Sequence, residues 1–143
     1  MLSDFAFNYD YLKLSAGFWK IKYNVMWAYM KDIYNEPEAP NQYNEKYMAF
    51  HHLSWNLGKR WNVQFFEAVV WQAQDSLVRR GFDPHYLNPV VFYRPVEFSI
   101  GSPDNVLLGV GSSFRLSNRI KAYGQLVLDE FKIDELRSRE GWW

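Results

Sequence analysis

The side chains best suited to chemistry in this 143-residue chain are four carboxylates, Glu67, Glu97, Asp129 and Glu130, and a polar group formed by Tyr93, Arg94, Asp104 and Asn105. Glycoside hydrolysis needs two carboxyl groups held at a set separation. Asp129 and Glu130 are adjacent and point to opposite faces of a strand, so they do not form such a pair with each other. Arg94 and Glu97 are spaced to form an ion pair, Tyr93 offers a ring face to a sugar, and Asp104 and Asn105 offer acceptors and a donor to hydroxyls. The competing reading is that this segment lines or plugs a barrel and satisfies itself.

Other chemistries find no support. The chain has no cysteine, which excludes a disulfide scaffold, a thiolate metal site and a cysteine nucleophile. His51 and His52 diverge on a strand and cannot chelate one ion together, while His85 is distant in sequence. Neither a GxSxG elbow nor a P-loop occurs, and Gly109-Val110-Gly111 lacks the third glycine of a dinucleotide fingerprint. Those glycines are expected to relieve crowding inside a barrel. No catalytic residue, metal or cofactor is expected, and the chain is read as a binding protein and not an enzyme.

The elements that position these groups follow from the pattern. Lys and Arg number 16 and so do Asp and Glu, leaving no surplus of positive charge for nucleic acid. Apolar residues make up 48% of the chain, yet the mean hydropathy is −0.38, because 10 Tyr, 7 Trp and 11 Phe carry much of the apolar surface. That aromatic excess points to an interface, sugar rings or lipid headgroups. No apolar run reaches the roughly 18 residues of a membrane-spanning helix. Asp4 and Asp10 flank the first apolar stretch with no basic segment ahead of it, which does not fit a signal peptide.

Alternation with period two dominates, the signature of strands with two different faces. Phe5, Phe7, Tyr9 and Tyr11 alternate with polar and small residues, and Ser15-Ala16-Gly17 reads as a turn. Residues 19–29 then place Trp19, Ile21, Tyr23, Val25, Trp27 and Tyr29 on one face and Lys20, Lys22, Asn24, Met26 and Ala28 on the other. Further strands are expected at 47–57, 61–71, 106–115 and 120–129. In the fourth, the apolar parity slips from Phe65 to Phe66, which predicts a bulge and leaves Glu67 on the polar side. Pro37 and Pro40 mark a loop at 31–45, and the second long loop spans 72–105.

Connections therefore alternate between short and long, the layout of an outer-membrane β-barrel with turns at one end and loops at the other. The expected fold is all-β, with antiparallel up-and-down strands forming a segment of a transmembrane outer-membrane β-barrel. Residues 1–143 form a single region of about six barrel strands, fewer than the roughly eight with which single-chain barrels begin. Apolar faces such as that of Val25 would meet lipid, and Lys20, Lys22 and Gln125 would face the lumen. Trp27, Tyr29, Trp55, Trp61 and Trp71 at strand ends would form an interfacial belt. A soluble all-β carbohydrate-binding module is the alternative, because its strands also alternate.

The stretch Asn88-Pro89-Val90-Val91-Phe92-Tyr93-Arg94-Pro95-Val96-Glu97, followed by 101–109 (GSPDNVLLG), resembles the central motif of the Wzi-like capsule-assembly outer-membrane proteins, and most of all their RemB-type gliding-motility branch. Residues 123–131 (YGQLVLDEF) and 66–71 (FEAVVW) are similar to flanking stretches of that family, in the same order. The resemblance covers about residues 47–143. It implies a barrel of a Gram-negative outer membrane, several hundred residues long, of which this chain is an internal piece. It also implies a non-catalytic role in attaching capsule or exopolysaccharide, or in gliding. The implied partners are outer-membrane lipid, surface polysaccharide and other outer-membrane, motility or secretion proteins, the last pointing to an accessory barrel of a surface complex. Carried over motif by motif, Glu67, Tyr93, Arg94, Glu97, Asp104, Asn105, Asp129 and Glu130 are the implied ligand-binding positions.

Overall fold

A computed structural model describes residues 9–31, 43–74, 81–89 and 104–129. Within them lie six strands, β1 (Asp10–Phe18), β2 (Ile21–Lys31), β3 (Glu45–Asn56), β4 (Trp61–Gln72), β5 (Asn105–Arg115) and β6 (Lys121–Asp129), and a 3-10 turn at Pro84–Leu87. Each strand pairs antiparallel with its neighbour in sequence, giving one sheet in the order β1-β2-β3-β4-β5-β6. β1 and β6 form its edges, and among the described residues the sheet is not closed. The β1–β2, β3–β4 and β5–β6 reversals are short and lie at one end. Residues 32–44 and 73–104 connect strands at the other.

The first hairpin corrects the sequence reading. Ser15, Ala16 and Gly17 are not a turn; they lie inside β1, opposite Asn24, Tyr23 and Lys22. The chain reverses at Trp19-Lys20 instead, with Trp19 at a φ of 53°. Extending β1 to Phe18 adds ladder pairs and continues the Leu12, Leu14, Ala16, Phe18 parity, which the small residues do not interrupt. Phe5 and Phe7 lie outside the described residues.

The expected bulge at Phe65-Phe66 is also absent. The register runs unbroken from Trp55↔Val63 through Leu53↔Phe65, His52↔Phe66 and His51↔Glu67, and β4 pairs with β5 equally regularly. Both faces of β4 are apolar along its second half, so the apparent slip is a change in composition and not in geometry. The consequence falls on Glu67. It keeps the parity of Phe65 and Val69 and is buried among apolar neighbours, at 1% exposure.

Unbroken register gives the sheet two distinct faces. The first carries Val25, Trp27, Ala49, Val69, Trp71 and Val106, which form the core cluster together with Tyr86 from the 73–104 connection. The second carries, toward the short turns, a hydrogen-bonded row of polar side chains. Ser15 Oγ donates to Asn24 Oδ1 at 2.8 Å, and Asn24 Nδ2 lies 3.2 Å from His52 Nδ1. His52 Nε2 lies 3.4 Å from Gln64 Oε1, and Gln64 Nε2 donates to Asn62 Oδ1 at 2.8 Å. An imidazole protonated only on Nε2 satisfies both of its contacts.

Gly109 is placed by close packing on this second face. It lies opposite Phe66, and a Cβ there would come within 2.0 Å of the Phe66 ring. The ring covers the bare backbone of the adjacent strand. Gly109→Ala is therefore expected to displace Phe66 and destabilise the fold by about 1–3 kcal/mol, as overpacked cores do. Phe66→Leu in the same chain should recover part of that loss in urea unfolding followed by tryptophan fluorescence; additive losses would count against the contact.

Candidate functional site

The first face is where polar groups, aromatic rings and the long β4–β5 connection meet. Trp71 is the anchor. It ends β4 on the apolar parity at 2% exposure, and Tyr86 stacks on it with ring centroids 4.1 Å apart and planes 20° from parallel. Tyr47 stacks on the Trp71 ring at 5.7 Å and Phe82 packs against it at 5.9 Å. The 3-10 turn that presents Tyr86 has Pro84 in its first turn and is capped by Asp83, whose carboxylate accepts from the His85 backbone N–H at 2.9 Å.

Three side chains of the sheet donate to three backbone carbonyls of the connection. Trp71 Nε1 donates to Gly81 O at 3.3 Å, Trp27 Nε1 to Tyr86 O at 2.8 Å, and the Tyr23 hydroxyl to Pro89 O. These carbonyls belong to no ladder, so each bond satisfies a backbone acceptor that lies against an apolar surface. The Tyr86 hydroxyl in turn donates to the Asp104 carboxylate just before β5 begins. The connection is thus fastened to the sheet at both of its described ends.

Under this fastening lies a pair of ionisable groups. His51 and Glu67 face each other across β3 and β4, with His51 Nδ1 3.6 Å from Glu67 Oε2. Their exposures are 6% and 1%, and Val25 and Leu108 flank them in register. The Tyr23 ring stacks over the imidazole, with planes 8° apart and centroids 6.4 Å apart. Burying such a pair costs desolvation that only good mutual geometry offsets. Its place in the middle of an apolar face makes it the most unusual polar feature among the described residues.

The sequence-nominated residues divide accordingly. Glu67 and Asp104 are both buried on the connection side. Glu67 pairs with Leu108, four residues along β5 from Asp104, which sets their Cα atoms on the order of 13 Å apart along the strand. Asn105 opens β5, exposed and opposite Val70, and Asp129 ends β6 opposite Leu107. Tyr93, Arg94, Glu97 and Glu130 lie outside the described residues.

Two further expectations are corrected here. Val25 does not lie open on a lipid-facing surface; it is 3% exposed, in the cluster that Tyr86 completes. Trp27 and Trp71 are likewise core residues and not members of a belt, because the chain's own connection covers them. Trp55 and Trp61, at the short-turn end, are open at 39% and 47%.

Sequence reasoning did not nominate His51, Tyr23, Trp27 or Trp71 as parts of this site. The signal was present: His51 and Glu67 each interrupt an apolar parity, at positions equidistant from Lys59 at the centre of the turn. Among the described residues no group of three or more His, Cys, Asp or Glu side chains could hold a metal ion. Comparison of the chain with protein-family models, with curated proteins and with solved structures returned no match.

Proposed function

We propose that this chain is part of an outer-membrane β-barrel of the Wzi-like, RemB-type kind, non-catalytic, serving attachment of capsule or exopolysaccharide at the cell surface or gliding motility. The observation that carries the reading is the inverted distribution of polarity over the sheet. On the first face, outside the area the connection covers, large apolar side chains are open: Leu12, Leu14, Phe18, Val110, Phe114 and Leu126 are 37–82% exposed. On the second face the side chains toward the turns are amides, hydroxyls and an imidazole that bond to one another. A soluble sheet hides its apolar face and wets its polar one. A barrel wall in lipid does the reverse, with apolar side chains outward and polar side chains lining the lumen.

Two further features support it. Strands of 9 to 12 residues match the length a tilted barrel strand needs to cross a bilayer. Among the described residues the edges of β1 and β6 are open, and a barrel wall calls for further strands along them, from the same polypeptide or another, to pair their backbone groups. The resemblance at 88–97, 101–109 and 123–131 supplies the polysaccharide and motility part of the reading. The clamped connection is in keeping with it, being a segment held against the sheet on the loop side.

Fractionation of the native protein tests this. Detected with an antibody to residues 82–105, it is expected in the outer membrane, resistant to alkaline extraction, and shifting in gel migration on boiling. A soluble band at 17 kDa that alkaline treatment and heat leave unchanged would overturn the membrane reading and favour a carbohydrate-binding module.

A further inference from the structure

The acidic residues of the sheet are segregated along the strands, whereas lysines occur at both ends, Lys31 and Lys46 among them at the loop end. Lys20, Lys59, Arg60, Arg115, Arg119 and Lys121 are all exposed and all belong to the short-turn end. No acidic residue occurs within 14–24, 53–66 or 110–126, the three stretches that build that end. The acidic residues of the described segments, Asp10, Glu45, Glu67, Asp83, Asp104 and Asp129, occupy positions from mid-strand to the opposite end. A chain of zero net charge therefore presents one strongly basic end.

Open aromatic rings lie at the same level. Trp19 is 76% exposed, Trp55 39%, Trp61 47% and Phe114 44%. Trp19 is the telling one. It occupies the reversal between β1 and β2 at a φ of 53°, where Asn or Gly is the unstrained choice. The two-residue reversal imposes that conformation, and it holds an indole at the tip with Lys20 Nζ 4.8 Å from its ring centroid. A cation over an exposed Trp at a strand end, with further cations around it, has the chemistry of a headgroup contact. The indole sits at the apolar–polar boundary and the cations reach the phosphates.

We infer that the short-turn end of the sheet is a docking surface for anionic phospholipid headgroups. The occupant is a lipid and not an acidic glycan, because the basic residues are ringed by open Trp and Phe side chains on the sheet's apolar face. From those rings an open apolar surface continues along the same face through Phe18, Val110 and Leu126, which acyl chains would cover and a hydrated sugar chain would not. The inference rests on the barrel reading for its setting, yet its chemistry can be measured separately.

The test uses the whole chain diluted from urea onto vesicles of phosphatidylcholine alone, or with about 30% phosphatidylglycerol, followed by flotation. Each cation at an anionic surface raises partition by about fivefold. Flotation with the anionic vesicles is therefore expected to exceed that with neutral ones by at least about tenfold. The combined variant Lys59→Gln, Arg60→Gln, Arg119→Gln, Lys121→Gln should remove most of that excess, and so should about 0.5 M salt, which screens surface charge. The salt arm decides the matter even if the variant misfolds. Equal partition onto both vesicles would overturn the inference. Equal partition together with retention on a polygalacturonate column that the variant loses would assign the end to an acidic glycan instead. Fractionation of the native protein reads the barrel separately: anionic-lipid dependence of the chain beside a native protein that fractionates as soluble leaves this inference standing and removes the barrel, and outer-membrane insertion of the native protein without anionic-lipid preference of the chain does the opposite.

Discussion

Trp71→Ala should cost about 3–5 kcal/mol, the range for deleting a buried aromatic side chain from a core, and should free the 81–89 segment from the sheet. Both effects have one origin. The Trp71 ring is 2% exposed and is the surface on which Tyr86, Tyr47 and Phe82 pack, and its Nε1 donates to Gly81 O. Removing it leaves Tyr86 without its stacking partner and takes away one of the three donors that hold the connection. Trp71→Phe separates the contributions. It keeps most of the packing and loses the N–H, so it should cost about 1 kcal/mol for the hydrogen bond plus a small loss of contact area. The measurements are the urea midpoint and the rate of limited proteolysis within 81–89. If Trp71→Ala unfolds no more easily than Trp71→Phe, the stack is not what fastens the connection.

The second large effect concerns two neighbours on β6. Leu126 and Gln125 occupy opposite faces: Leu126 pairs with Val110 on the apolar face, and Gln125 pairs with Gly111 on the polar one. Leu126 is 59% exposed. In a barrel, Leu126→Arg places a guanidinium in the hydrocarbon, at about 2–4 kcal/mol near the midplane. Gln125→Arg places the same group in the lumen. The expected result is a Leu126→Arg protein that no longer enters the alkali-resistant, heat-modifiable membrane fraction, beside a Gln125→Arg protein that does. Equal behaviour of the two would sink the barrel. Val25 is unsuited to this test, since arginine there would disrupt the cluster with Trp27 and Tyr86 in any solvent.

The buried His51–Glu67 pair bears on both results. Lipid and a folded core are alike in making an isolated charge expensive, so the pair depends on the cover that the connection provides. Among the described residues, the Tyr23 and Trp27 donors, the Tyr86–Asp104 contact and the Tyr47–Phe82 packing would remain to hold the connection without Trp71.

Period-two alternation alone determined the six strands, their antiparallel order and the ends at which the long connections lie, because strand faces and turn lengths are local properties. Tyr47 to Asn56 and Trp61 to Trp71 needed no tertiary knowledge to be read as a hairpin. The first turn was misread because Ser15-Ala16-Gly17 has turn composition, and only pairing with Lys22, Tyr23 and Asn24 holds it extended. Glu67 was assigned to the wrong face for a related reason. A strand apolar on both sides gives no parity to count, and only the His51 register partner fixes which way the carboxylate points. Which apolar surface is covered was likewise not legible, since the residues that cover Val25 and Trp27 come from a connection more than fifty positions away. Alternation is local and legible in the sequence; the exact place of a reversal, the partner of a buried ionisable group and the cover of an apolar face depend on pairing and packing and belong to the tertiary fold.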